Sequence, residues 1–212
     1  MSPGAGTTRD RILERGLDLV SQVGLSGLTL GVLADDVSMS KSGLFAHFRS
    51  KEAVQLALLE HMAATAERVV VAPAMRRPSG LSRITTLVDL WLGWTQRAGL
   101  RGGCPVAAAL FELDDIDSCV RAEVMRMESR WRTLLSTLAR EAVETGELEP
   151  DLDVDQFVWE LCGIYLSHHA SSRFLRDPDA ARRAALAFQS LLHRSGARGG
   201  AARTAPSRPG PR

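Results

Sequence analysis

Apolar residues recur at steps of three and four almost throughout this chain, and no stretch alternates at steps of two between turn residues. The first period marks a helix face and the second a half-buried strand, so the pattern predicts helices and argues against a sheet. The strongest case is Val120, Val124, Met127, Trp131, Leu134 and Leu138, with Arg and Glu between them, which predicts a long amphipathic helix ending near Gly146. Earlier, Ile12, Gly16, Leu17, Val20 and Val23 predict a helix from Thr8 that stops at Gly24. A short helix follows the cap residue Thr29, and a very short one runs from Ser40 to about His47. Ser50 caps a fourth, carrying Val54, Leu58, Leu59 and Met62, which should fade before Pro73 and Pro78. Leu81 to Leu92 form another helical face, Gly99 to Pro105 break the chain, and a short apolar segment spans Val106 to Leu113. Phe157 to His169 is apolar nearly all round, and a last helix carries Ala184, Leu186, Phe188, Leu191 and Leu192. The sum is an all-α chain of about nine helices.

With 212 residues, 45% hydrophobic and 24% charged, the chain can bury a core without disulfides or a structural metal. No apolar run approaches the roughly 18 residues of a membrane span, and MSPGAGTTRDR lacks the pattern of a secretory signal. Three cysteines at no recognisable spacing fit a reducing compartment, so a cytoplasmic protein is expected. The net charge of +1 hides an uneven distribution. The last eighteen residues hold four arginines and no acid, while the rest carries 22 basic and 25 acidic side chains. Rich in Gly, Pro, Ala and Ser, residues 195–212 are expected to be a disordered basic tail.

The informative stretch is Leu28 to Glu52, LTLGVLADDVSMSKSGLFAHFRSKE. Two short helices joined by a three- or four-residue turn make a helix-turn-helix, whose second helix enters the DNA major groove. Thr29, Ala34, Met39-Ser40-Lys41, Leu44-Phe45, His47-Phe48 and Ser50-Lys51-Glu52 stand in register with one family's pattern, as do Arg11-Ile12-Leu13, Gly24 and Gly27-Leu28-Thr29 upstream. The chain resembles the TetR family of transcriptional regulators over roughly residues 8–60. Beyond these, GGCPVAAA at 102–109 looks like a segment of one branch of that family. Two positions depart from the pattern: Ser38 replaces the usual turn glycine, a position that tends to need positive φ, and Phe45 replaces the commonest Tyr.

The resemblance implies DNA contacts at Thr29, Ser40, Lys41, Ser42, Gly43, Phe45, His47 and Lys51. Ser40 caps the recognition helix, Lys41 and Ser42 reach bases or phosphates from its first turn, and Gly43 lets the helix approach the groove. Lys51 opposes the dipole of its own helix, which a nearby phosphate would relieve. Charge argues the other way, because residues 1–60 hold six basic and seven acidic side chains. The acids, however, gather on the first two helices, while Met39 to Lys51 carries only Lys and Arg.

The resemblance also implies a small-molecule site in the second half. Trp91, Trp94, Phe111, Met127, Trp131, Tyr165 and His168 supply the aromatic and soft surface for an apolar cavity. Cys104 reads as structural, since nothing near it in sequence would lower its pKa. No cofactor is implied, and no metal: His168 and His169 are adjacent and diverge on a helix, and Asp114, Asp115 and Asp117 lack a calcium-loop pattern.

The expectation is therefore a helix-turn-helix unit at 1–50, an effector-binding and dimerisation bundle at 51–194, and the tail. It would act as a homodimeric repressor released from a palindromic operator by a small apolar effector, with no membrane partner and no enzymatic activity. Dimerisation is expected through helices at about 155–172 and 179–193. A small helical enzyme around Cys104 or the histidines, and a helical interaction protein that has lost DNA binding, are the alternatives.

Overall fold

The computed structural model describes residues 7–197, and every regular element among them is helical. The elements are α1 (Thr8–Gly27), α2 (Leu30–Asp36), α3 (Lys41–His47), α4 (Lys51–Ala66), a π-helical turn (Glu67–Val71), α5 (Ala72–Met75), α6 (Leu81–Leu92), α7 (Trp94–Arg97), α8 (Pro105–Glu112), α9 (Cys119–Glu144), α10 (Val154–Arg173) and α11 (Ala180–Arg194). The expected count of about nine is recovered because α4 and α5 form one rod through the π turn, and only Gly93 separates α6 from α7.

The capping residues set most boundaries. Thr29, Ser40, Ser50 and Ser118 each accept a hydrogen bond from the backbone N–H three residues on, at 3.0–3.1 Å. Gly24 breaks α1 as expected, at φ 75°, and a further helical turn to Gly27 follows the kink. The rod from Ser50 does not fade before Pro73. Pro73 lies in the first turn of α5, where a missing N–H is tolerated, directly after the π turn.

Two layers result. Leu13, Leu17 and Val20 of α1 sit in a core with Leu33 of α2, Leu44 of α3 and Leu58 of α4. In the larger layer α9, about 39 Å long at 1.5 Å per residue, packs against α4, α6, α8 and α10. The apolar stripe expected on α9 divides by depth: Val120, Val124 and Leu138 are buried, whereas Met127, Trp131 and Leu134 are only partly covered. α10 and α11 pack together, leaving Trp159 66% and Leu186 49% exposed on their outer side. Of the expected tail, residues 198–212 lie outside the described residues. Ser195 is buried and its carbonyl accepts from Glu149 N.

No helix among the described residues is long and apolar enough to cross a membrane.

Candidate DNA-reading surface and effector cavity

The turn between α2 and α3 explains why a serine stands where glycine is usual. Ser38 adopts φ 55°, and its N–H bonds to Asp35 O while Met39 N–H bonds to Ala34 O, closing the end of α2 by the double bond of a Schellman motif. The left-handed conformation anticipated at this position is present, held by those two bonds. α3 is then pinned from beneath. Leu44 is fully buried and Phe48 is 3% exposed, with the Arg9 guanidinium 5.2 Å above the Phe48 ring centre.

What α3 turns outward is Lys41, Ser42, Phe45 and His47. Phe45 is 52% exposed, which excludes the buried supporting role open to an aromatic at this position. Ser40 caps the helix and its Oγ lies 3.0 Å from that of Ser42. Gly43 leaves room for that cap, since a Cβ there would stand 3.2 Å from Ser40 Oγ. Lys41 leans back across α2: a Cβ on Gly31 would lie 3.1 Å from its Cε and 3.3 Å from its Nζ, with Thr29 Oγ1 at 3.8 Å. Lys51 is occupied by the fold itself, its Nζ donating to Ser26 O at 3.0 Å. The carbonyl end of α1, rather than a phosphate, thus offsets the unfavourable place of this ammonium at the start of α4.

The acids of α1 and α2 are largely spent. Asp36 forms a two-pronged pair with Arg15 at 3.0 Å, and Asp10 closes a capping box with Thr7. Asp18 takes the backbone N–H and guanidinium of Arg101. Burial raises the Asp18 carboxyl, but the bonds from Arg101 outweigh it and hold the group below the usual carboxylate range.

The second feature is a cavity of about 900 Å³ between α4, α6, α8, α9 and α10. Trp91, Trp94, Met127, Trp131 and Tyr165 all line it, as expected from the sequence. Tyr165 stacks on Trp91 with ring centres 4.1 Å apart, Trp131 meets Trp91 edge-on at 4.8 Å, and Trp94 Nε1 donates to Tyr165 Oη at 2.9 Å. Two expected lining residues do not reach it. Phe111 is 67% exposed, because α8 turns Val106, Ala107 and Leu110 inward and Phe111 to the opposite side. His168 is half-buried, its ring 6.5 Å from Tyr165 and behind the wall rather than in it.

Sequence reasoning missed the α4 wall. Leu56, Leu59 and Met62 line the cavity, as do Glu67, Val70 and Val71 of the π turn, a distortion often found at functional sites. Only the later Pro73 hints at it. Charged side chains lie among the lining residues too, and here Glu123 holds both Arg126 and Arg130.

Cys104, also a lining residue, sits at the start of α8 with the Tyr165 hydroxyl against its thiol. Burial raises its pKa more than the N–H groups of Ala107 and Val106 and the Tyr165 hydroxyl lower it. Cys162 is pushed up to about 11 by burial, while Cys119 is exposed. Native protein titrated with dithiobis-nitrobenzoate at pH 8 should therefore show one fast thiol, lost in Cys119→Ser, with the other two appearing only on unfolding. A fast reaction that persists in Cys119→Ser would contradict this.

Both regions fall largely within matches to known protein families. Residues 12–58 match the model for bacterial regulatory proteins of the tetR family, and residues 80–188 match the tetracyclin repressor-like C-terminal domain. The chain belongs to the TetR family. This TetR-family protein is 24% identical over 155 residues to the HTH-type transcriptional repressor DhaR of Mycobacterium sp., covering 69% of this chain and 73% of that one. A TetR transcriptional regulator from Chloroflexus aurantiacus shares the fold, with a TM-score of 0.77 and 23% identity over 88% of this chain and 92% of the other. So does AibR, solved in complex with isovaleryl coenzyme A and operator DNA, with a TM-score of 0.68 and 18% identity over 89% and 98%. The family is one of DNA-binding transcriptional regulators.

Proposed function

We propose that this protein is a homodimeric repressor that reads a palindromic operator through α3 and releases it when an apolar or amphipathic small molecule enters the cavity. The observation that carries the reading is the two-sidedness of α3: Leu44 and Phe48 anchor it, while Lys41, Ser42, Phe45 and His47 face outward. Ser42 and Phe45 read base edges, Phe45 by pressing its exposed ring on a thymine methyl. Lys41, leaning along Gly31 toward Thr29, joins His47 in holding the phosphate backbone, with Ser40 and Gly43 shaping the helix start. Lys51 serves as an anchor of α1 with donors left for a phosphate.

The cavity falls within the range of small-molecule sites; Trp94 Nε1 and Tyr165 Oη are bonded to each other, whereas the buried Trp131 Nε1 has no partner among the described residues. That favours a mainly apolar body that offers an acceptor to the Trp131 N–H, with any charged end near the charged side chains. The names of DhaR, a repressor, and of AibR, solved with a coenzyme A thioester and operator, support the same scheme. On this reading the protein works in the cytoplasm without catalysing a reaction. Residues 1–50 form the DNA-binding unit and 51–194 the effector and dimerisation unit.

The test is titration of alanine variants against an operator recovered by selection from random duplex DNA and a set of its single-base variants. Phe45→Ala should cost about 1–3 kcal/mol at one position and reorder the variants there. Lys41→Ala should weaken all of them alike and lower the salt slope by about one unit. If Lys41→Ala reorders the variants and Phe45→Ala does not, the two roles are exchanged. If neither substitution changes binding, α3 is not the reading element.

A further inference from the structure

DNA contact and the cavity leave the GGCP motif at 102–105 unexplained. Residues 101–104 form a short strap between α7 and α8 that is gripped from two sides. On the α1 side, Arg101 N and Nε donate to the Asp18 carboxylate at 2.8 and 2.7 Å. Gly102 N donates to Ser21 Oγ at 3.0 Å and Gly103 N to Ser21 O at 2.8 Å. Ser21 is buried, and its hydroxyl donates in turn to Asp18 O at 2.6 Å. On the α10 side, a Cβ on Gly103 would stand 2.7 Å from His169 Cε1. Gly102 is there because backbone meets backbone, since a Cβ on it would lie 1.8 Å from Ser21 O, whereas Gly103 makes room for the side chains of His169 and Arg173.

Each end of this strap meets a functional element. Its last residue, Cys104, is a wall of the cavity and faces Tyr165. Three residues after Ser21, α1 kinks at Gly24 and the chain turns toward Thr29, the cap of α2. We propose that the strap is the coupling element of this regulator, transmitting displacement of the cavity wall at Cys104 through Ser21 to the helix-turn-helix. Bonds from three successive backbone N–H groups make the strap and the middle of α1 move together, so a shift of one carries the other. The proposal rests on the reading of the cavity as an effector site.

The test needs no known effector, because coupling is reciprocal: operator DNA must alter the cavity if the cavity alters DNA binding. In a Trp159→Phe background the three remaining tryptophans, Trp91, Trp94 and Trp131, all lie in the cavity wall. Saturating operator should change their fluorescence, and should weaken binding of the probe anilinonaphthalene sulfonate within the roughly 5- to 150-fold range usual for coupled sites. Arg101→Ala removes an exposed guanidinium at little risk to folding, and Ser21→Ala removes the acceptor of Gly102. Both should bind operator, and probe without operator, within about twofold of wild type, while the coupling factor falls in each. Arg101→Lys, keeping a cation against Asp18, should restore part of it. Unchanged coupling in both alanine variants, with coupling plain in the wild type, would overturn the strap and leave the effector site standing. Wild-type protein whose tryptophans and probe affinity both ignore operator would overturn the effector reading itself.

Discussion

Trp159→Asp should turn the proposed dimer into a monomer of half its mass and cut operator affinity by about a hundredfold or more. Trp159 stands 66% exposed on α10, on a line with the exposed small residues Gly163, Ser167 and Ala170, which permit close approach of a second helix. Leu186 of α11 is 49% exposed beside them. An aspartate at the centre of that face would have to lose its water without a partner, which a dimer interface does not tolerate. Phe188, by contrast, is buried within the protomer, so its replacement would report on folding instead. The loss of operator affinity follows from geometry, because a monomer engages one half-site and forfeits the effective concentration that the partner supplies. Light scattering and operator titration on the same sample check both parts. A wild-type monomer at micromolar concentration, or a Trp159→Asp dimer, would refute the interface.

The second large effect is expected of Gly102→Ala. A Cβ at this residue would lie 1.8 Å from the carbonyl oxygen of Ser21 and 2.0 Å from its carbon, and neither can rotate aside as a side-chain tip could. The strap must lift off α1, breaking the bonds to Ser21 and leaving buried N–H groups without partners. The expected loss is about 3 kcal/mol or more, in the range of backbone clashes with unsatisfied buried groups. For a chain of this size that lowers Tm by about 6–12 °C. Gly146→Ala is the control: its φ of 71° favours glycine, which that of Gly102 does not, and nothing lies within 4 Å of the added Cβ, so its cost is conformational alone. Calorimetry showing equal losses for the two would contradict the contact argument.

Much of the fold was legible because local signals agreed with the packing. Thr29, Ser40 and Ser50 mark helix starts whether or not a tertiary structure surrounds them, since each cap bond is made within four residues. The α9 stripe was equally plain, although periodicity could not say that Met127, Trp131 and Leu134 would line a cavity while Val120, Val124 and Leu138 entered the core. Periodicity gives a helix face, not the distance to what it faces. The same limit applies on α8, where Phe111 looked like a cavity residue but sits on the outer side. The π turn at Glu67–Val71 was hidden because it alters the hydrogen-bond step without altering composition. Most concealed were pairings across the chain. Asp18 and Arg101 lie 83 residues apart, so acids on α1 counted as charges against DNA binding when one was already neutralised by the strap.

The most direct test of the account is selection of random duplex DNA on the full-length protein, followed by titration of the enriched sequence with wild type and Phe45→Ala. The account predicts one inverted repeat, bound by two chains, with half-sites about one helical turn or a multiple apart and tight binding lost at a defined base step when Phe45 is removed. Enrichment of no sequence over the starting pool, or an enriched site that Phe45→Ala binds as well as wild type and in the same order of variants, would contradict it.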